Sequence, residues 1–138
     1  MGAGSLKSQV ESFYHAQIVL SPHGAGLTNV VFLTPHSVVI EVTPPHFTEF
    51  CLMGVILHAR LHYIYVPNFD NEVLKNNNIE LPDKAYYQGN YSPIRSRYKS
   101  LDLNTNKFSI LSGVEDAIDY LDRFRTRRVN DYMSPIFV

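Results

Sequence analysis

Gln17-Ile18-Val19-Leu20-Ser21-Pro22-His23-Gly24-Ala25-Gly26-Leu27-Thr28-Asn29 runs from a short apolar tetrad into two closely spaced glycines. Four apolar or long side chains in a row suit a strand buried on both faces. Ser21-Pro22-His23-Gly24 breaks that strand, since proline removes a donor and glycine relaxes the backbone. From Ala25 to Leu33 the apolar residues resume at helical spacing, which predicts a mostly buried helix. A strand, a tight turn and a helix in this order place the turn at a strand's carboxyl end, where open α/β sheets bind their ligands.

The flanks extend the same pattern. Upstream, Leu6, Val10, Phe13 and Tyr14 stand at i, i+4, i+7 and i+8, the stripe of an amphipathic helix. Downstream, Thr34-Pro35-His36 forms a turn. Ser37-Val38-Val39-Ile40-Glu41-Val42, rich in β-branched residues, is the clearest strand, closed by Thr43-Pro44-Pro45. His46 to Arg60 reads as a further helix through Phe47, Phe50, Cys51, Val55 and Ile56. His62-Tyr63-Ile64-Tyr65-Val66 is a third strand, stopped by Pro67. Strands alternating with helices at this spacing predict parallel βαβ units with right-handed crossovers. Residues 68–108, broken by Asn76-Asn77-Asn78, Pro82, Gly89 and Pro93, read as an irregular segment. Ser112-Gly113-Val114-Glu115 fits a capping box that opens a last helix. Its apolar stripe is Val114, Ala117, Ile118, Leu121 and Phe124, and Arg123, Arg125, Arg127 and Arg128 crowd its end, where cations suit the helix dipole.

With 138 residues, 45% of them hydrophobic and 18% charged, the chain suits one domain with a buried core. Residues 1–5 read as a non-native leader and 6–138 as a single Rossmann-like domain. A formal net charge of −1 offers no global attraction for nucleic acid. The single cysteine, Cys51, excludes an internal disulfide and a cysteine zinc cluster, and its apolar neighbours suit a buried small hydrophobe. No apolar run approaches the roughly 18 residues of a membrane span. One sequon, Asn90-Tyr91-Ser92, tilts weakly toward a secretory lumen.

The glycine turn carries the chemistry. Gly24 and Gly26 admit a ligand close to the backbone, and the first N–H groups of the following helix lack internal acceptors. With the helix dipole they favour an anion, for which a diphosphate is a natural occupant. His23 can donate to a phosphate oxygen, Thr28 can add a hydroxyl, and Asn29 either joins them or orients the loop. A structural turn whose glycines serve close packing stands as the alternative. Glu41 interrupts an apolar strand on the same sheet edge, where an acid can take the hydroxyls of a ribose. By spacing alone a solvated or ion-paired glutamate is the simpler reading.

His15 to Asn29, with Phe32-Leu33-Thr34-Pro35 and Val38-Val39-Ile40-Glu41-Val42 after it, resembles the carboxyl-terminal domain of glycosyltransferase family 61. The similarity spans Phe13 to Val66, and its most specific part is His23-Gly24-Ala25-Gly26-Leu27-Thr28-Asn29. It implies an α/β fold, a Rossmann-like parallel sheet flanked by helices, like the second half of a GT-B glycosyltransferase. It further implies inverting, metal-independent transfer from a UDP-sugar with no bound cofactor. Residue by residue, His23, Gly24, Ala25, Gly26, Leu27, Thr28 and Asn29 would meet the donor diphosphate and Glu41 the nucleoside. The glycan or glycoprotein acceptor and the general base are expected in an amino-terminal domain, for which this length has no room. No catalytic residue is therefore nominated, and the isolated chain is expected to transfer poorly.

Other readings separate on motifs. A binding-only, degenerate nucleotide-sugar module would keep the turn without the reaction. A serine hydrolase needs Gly-x-Ser-x-Gly, which the sequence lacks, and a nicotinamide fold needs a third glycine where Asn29 stands. His58 and His62, four apart, straddle the end of a predicted helix and make poor metal ligands. Arg95, Arg97 and Lys99, beside Tyr91 and Tyr98, could bind a phosphate or an acceptor but read first as a solvated loop, and Tyr86, Tyr87 and Tyr91 read as pins for the irregular segment ahead of a sugar-stacking platform. The expected compartment is the Golgi or endoplasmic reticulum lumen for a eukaryotic source and the cytoplasm for a bacterial one. An apolar face left for a partner domain could also make the chain dimerise.

Overall fold

The computed structural model describes residues 5–45, 52–78 and 106–133, with side chains through Thr126 in the last segment. Three five-residue strands, β1 (Ile18–Pro22), β2 (Val38–Val42) and β3 (His62–Val66), form a parallel sheet in the order β1-β2-β3. Ile18, Val38 and His62 are partners at one end, Pro22, Val42 and Val66 at the other. All three strands therefore stop at one level, and the segments leaving their carboxyl ends line up along one edge of the sheet. The protein is a small α/β domain with a three-stranded parallel sheet packed against helices.

Strand alternation divides the core. Val39 points to a face covered by α1 (Leu6–Tyr14), a 3-10 helix (Ala25–Phe32) and α2 (Met53–His58), among Phe13, Leu27, Val30, Leu33, Ile56 and Leu61. Val38, Ile40 and Val42 point the other way, against Val114, Ala117 and Leu121 of the long helix at Lys107–Met133. Both crossovers lay their helices on the same face, as same-handed connections between neighbouring strands require. A short helix, α3 (Asn71–Asn76), comes after β3, and the long helix is α4. Asp70 caps α3 by accepting from the Glu72 N–H at 2.8 Å.

The sheet differs from expectation in ways that packing explains. β2 is buried along its whole length, whereas β1 is only half-buried, with Leu20 46% exposed. On the second face, α4 lies over β2 and β3 and leaves β1 at the margin. Among the described residues β1 pairs on one side alone, which lets it continue through Ser21 and Pro22, because proline's missing donor costs nothing on an unpaired side. The helix expected over Ala25–Leu33 is a 3-10 helix that buries Leu27 and Val30 and exposes Ala25, Gly26, Thr28 and Val31.

The capping box expected at Ser112–Glu115 is not the start of a helix. Asn106 caps α4 instead, its Oδ1 accepting from the Phe108 N–H at 2.9 Å, and Ser112 lies in the second turn. Gly113 has a packing role. A Cβ there would meet Val66 Cγ2 at 3.2 Å and Ile40 Cγ2 at 3.4 Å, so glycine is where α4 comes closest to the sheet. The helix continues to Met133, so the arginines at 123–128 do not sit at its end. Arg123 and Arg125 form exposed pairs with Asp119 and Asp122, both at 3.8 Å. Ile118, expected in the buried stripe, is 48% exposed, and its place is taken by Ile110 and Tyr120.

The strand at 62–66, the helix at 6–14 and the turn at 34–36 fall where the sequence puts them. Of the helix expected at 46–60, the described part is Met53–His58. Within 68–108, α3 forms in a stretch expected to be irregular. Cys51, the sequon at Asn90 and the aromatic and basic residues between 86 and 99 lie outside the described residues.

Candidate functional site

The edge formed by the carboxyl ends of the strands collects polar groups. His23 comes directly after β1, Thr43 directly after β2, and Asn68 lies two residues beyond β3. Thr43 is 1% and Asn68 5% exposed. Backbone bonds tie the level together: the His23 N–H donates to the Val42 carbonyl at 2.8 Å, and the Thr43 N–H to the Val66 carbonyl at 3.3 Å.

The glycine turn sits on this edge. Gly24 is the amino-terminal cap of the 3-10 helix and provides no side-chain hydrogen bond to it. Its φ of 163° and ψ of 174° are extended backbone, open to any residue, so the turn itself does not demand glycine. A Cβ at Gly24 would also meet nothing within 4 Å. Close packing thus does not explain this glycine; open space lies beside it. Leu27 is the first residue of the helix whose N–H finds an acceptor, the Gly24 carbonyl at 3.0 Å. Among the described backbone bonds none starts at the N–H of Ala25 or Gly26, both exposed residues. Two adjacent donors without a described acceptor, at the positive end of a helix, favour an anion.

The other residues of the motif divide by role. Leu27 is 1% exposed and belongs to the core, so its side chain anchors the helix rather than facing a ligand. The Thr28 hydroxyl donates to the Ala25 carbonyl at 2.7 Å. Asn29 donates through Nδ2 to Gln9 Oε1 of α1 at 3.3 Å.

Glu41 is buried and hydrogen-bonded rather than solvated. Alternation turns its side chain to the face of the 3-10 helix, where it is 1% exposed and each oxygen has a partner. Oε1 lies 2.5 Å from His23 Nδ1, and Oε2 accepts from the Tyr63 hydroxyl at 2.5 Å. The His23 side chain is itself only 6% exposed. A carboxylate this deep costs several kcal/mol unless fully hydrogen-bonded, and here one donor comes from the end of β1 and one from β3. Tyr63 is a site residue that sequence reasoning misses; its signal is its place one strand over from Glu41, on the same face and two residues off in register. With the described residues in place, the direct ribose contact expected of Glu41 has no exposed carboxylate to make it.

His58 and His62 do not converge: His58 Nδ1 bonds the Gly54 carbonyl at 2.7 Å within α2, and His62 stacks on Tyr120 with ring centroids 4.0 Å apart. A concavity of about 520 Å³ at the opposite end of the sheet is lined by Gln17, Thr34, His36, Ser37, Phe124 and Arg125. Arg125 spans it to Gln17 Oε1, and it is remote from the glycine turn. No described helix is long and apolar enough to cross a membrane.

The sequence profile described as Glycosyltransferase 61 matches residues 1–40, which include β1 and the whole glycine turn. The chain is 33% identical over 90 residues to a protein O-linked-mannose beta-1,4-N-acetylglucosaminyltransferase 2 of Tetraodon nigroviridis, covering 62% of this chain and 15% of that protein. The same-named protein of Takifugu rubripes is 32% identical over 90 residues, with the same coverage. A beta-1,2-xylosyltransferase of Arabidopsis thaliana is 38% identical over 48 residues, 31% of this chain and 9% of that protein. The chain thus spans less than a sixth of the length of these relatives, which are named as transferases of N-acetylglucosamine and xylose. No solved structure matches.

Proposed function

We propose that the chain, which is similar to glycosyltransferase family 61 over residues 1–40, is the nucleotide-sugar-binding part of a GT-B-type, inverting glycosyltransferase whose donor is a UDP-sugar. The observation that carries this reading is the pair of unclaimed N–H donors at Ala25 and Gly26, beside open space at Gly24, on the ligand-binding edge of a parallel sheet. In the transfer, an acceptor hydroxyl attacks the anomeric carbon, the bond from that carbon to the diphosphate oxygen breaks, and UDP leaves with the electron pair. The acceptor's proton goes to a base in the remainder of the enzyme. This chain's part is to hold the diphosphate and stabilise the charge that grows on it as the bond breaks. The amide dipoles and His23 supply that stabilisation without a metal ion. Glycan or glycoprotein acceptors bind the other domain. The eukaryotic source of the relatives supports a Golgi or endoplasmic reticulum lumen.

Calorimetric titration of the chain with UDP, UDP-N-acetylglucosamine, UDP-xylose and NAD, in the presence of a chelator, tests the proposal. Saturable binding of the uridine nucleotides but not of NAD is the expected result. Equal binding of NAD, or no binding of uridine nucleotides by the chain or by a longer form carrying its amino-terminal domain, refutes it.

A further inference from the structure

We infer that a strand of the polypeptide upstream of α1 pairs in parallel with the open edge of β1, so that the sheet continues past β1. The inference is independent of the donor reading, because none of its grounds uses the chemistry of the glycine turn.

The first ground is the backbone of β1. The Val38 N–H donates to the Gln17 carbonyl and the His23 N–H to the Val42 carbonyl, both at 2.8 Å. In a parallel ladder, alternate residues of a strand turn their N–H and carbonyl to the same neighbour. Gln17, Val19, Ser21 and His23 therefore face β2, and Ile18, Leu20 and Pro22 face the other way. On that side Pro22 has no N–H, and its carbonyl accepts from the Ser21 hydroxyl at 3.0 Å. Ile18 and Leu20 keep an N–H and a carbonyl each, and among the described residues β1 pairs with β2 alone. These four groups are a template for a strand, and no charged residue between Gln17 and Pro22 guards them.

The second ground is the surface beside that edge. Strand alternation puts Leu20 with Ile18 on the face of α4, yet Leu20 is 46% exposed. Arg125 of α4 reaches Gln17, and Tyr120 stacks on His62, so one side of the helix looks toward β1 and the other toward β3. By helical spacing Leu111, Val114, Ile118 and Leu121 share the side of Arg125. Val114 and Leu121 pack against the core, whereas Leu111 is 54% and Ile118 48% exposed. An apolar strip on α4 thus borders the open edge, in a class of sheet whose faces are normally covered.

The third ground identifies the occupant. The 3-10 helix carries the chain from β1 to β2, and α2 carries it from β2 to β3, both on one face. α1 packs on that same face through Phe13 and runs into β1. With the same hand of connection, the strand that feeds α1 lies parallel to β1 on the side away from β2. A strand arriving from beyond β3 needs its helix on the opposite face, where α4 lies. A second copy related by a two-fold axis pairs β1 antiparallel and leaves α1 without a strand to follow. The relatives have length for such a segment, since the matched part is 15% or less of each. The surroundings call for a strand of about five residues, apolar on both faces and rich in β-branched side chains.

Amide hydrogen exchange resolved to single residues tests this, comparing the 138-residue chain with the natural polypeptide that carries its upstream sequence. In the shorter chain the Ile18 and Leu20 amides are expected to exchange about tenfold or more faster than those of Val19 and Ser21. In the longer form they should slow to the rate of those neighbours. Fast exchange of Ile18 and Leu20 in both forms overturns the inference, as does a natural polypeptide with no segment upstream of α1. Protection already present in the shorter chain overturns it too. If that protection grows with concentration alongside a dimer in sedimentation, the occupant is a second copy; if it does not, the chain covers its own edge. Leu20→Asp gives a second readout. It should lower the melting temperature of the longer form by several degrees and leave that of the shorter chain nearly unchanged, and equal shifts in the two forms count against a strand over Leu20. Neither measurement involves UDP, so the failure of this inference and the failure of the donor reading are separate results.

Discussion

Replacing Gly24 with valine should separate folding from binding. Gly24 has an extended backbone, and its added Cβ meets no atom within 4 Å. Glycine's excess of conformations in the unfolded chain disappears, which stabilises a compatible site by about 0.4–1 kcal/mol. The folded protein should therefore be as stable as wild type or slightly more so. Binding should move the other way. The side chain enters the space beside the Ala25 and Gly26 N–H groups, the two donors assigned to the diphosphate. A hydrogen bond to a charged group contributes about 1.5–3 kcal/mol, so losing both removes about 3–6 kcal/mol. At about 1.4 kcal/mol per factor of ten, that is a loss of about a hundredfold or more in UDP affinity. Thermal unfolding monitored by circular dichroism reads the first quantity and calorimetric titration with UDP the second. Unchanged affinity with unchanged stability would remove the turn from the donor site. A large drop in melting temperature would show instead that the space beside Gly24 is structural.

The opposite pattern is expected at Gly113, where the Cβ meets the sheet at 3.2 Å. Gly113→Ala gains about 1 kcal/mol of helix propensity against a contact relieved by a few tenths of an ångström, so the two nearly cancel. Gly113→Val should lose about 1–3 kcal/mol through overpacking, and chemical denaturation showing no difference between the two variants would contradict the close approach of α4. His62 supplies a pH test of stability. Burial lowers its pKa below the ordinary histidine value, an effect that the nearby Asp116 partly offsets. The unfolded chain then binds the proton more readily than the folded one, so this contribution is present above about pH 6.5 and declines as pH falls below it. Melting temperatures at pH 7 and pH 5.5 should differ by less in His62→Phe than in wild type, and an equal or larger difference in the variant would refute the assignment.

The similarity to glycosyltransferase family 61 rests on a short stretch, residues 1–40, that the fold gathers at one sheet edge. Between Ile18 and Val42 lie two neighbouring strands, the turn that ends the first, and the acid that fixes the residue leading into that turn. One βαβ unit therefore carries the glycine turn and Glu41, while β3 adds Tyr63 and the segment leading to Asn68. The relatives' remaining length, more than five sixths of each, is where the proposal places acceptor recognition and the base.

Local order determined much of this protein. The β-branched run at 38–42 and the aromatic run at 62–66 specify strands by their spacing and side-chain shape, and the intervals between strands permit only parallel crossovers. The glycine turn was likewise legible, because a strand, two glycines and a helix leave backbone donors exposed whatever surrounds them. Tertiary structure decided what depends on neighbours distant in the chain. Asn106 rather than Ser112 caps α4, and Gly113 lies inside the helix, where it approaches Ile40 and Val66. β1 became a half-exposed edge because α4 lies across β2 and β3. Glu41, legible as a polar interruption near a strand end, became a buried partner of His23 and Tyr63. Strand alternation selects its face, but only the parallel register brings Tyr63 within reach, and only the turn folds His23 back over it. Period and propensity act between residues a few positions apart, whereas the hydrogen bonds of this site join groups 18 and 22 residues apart.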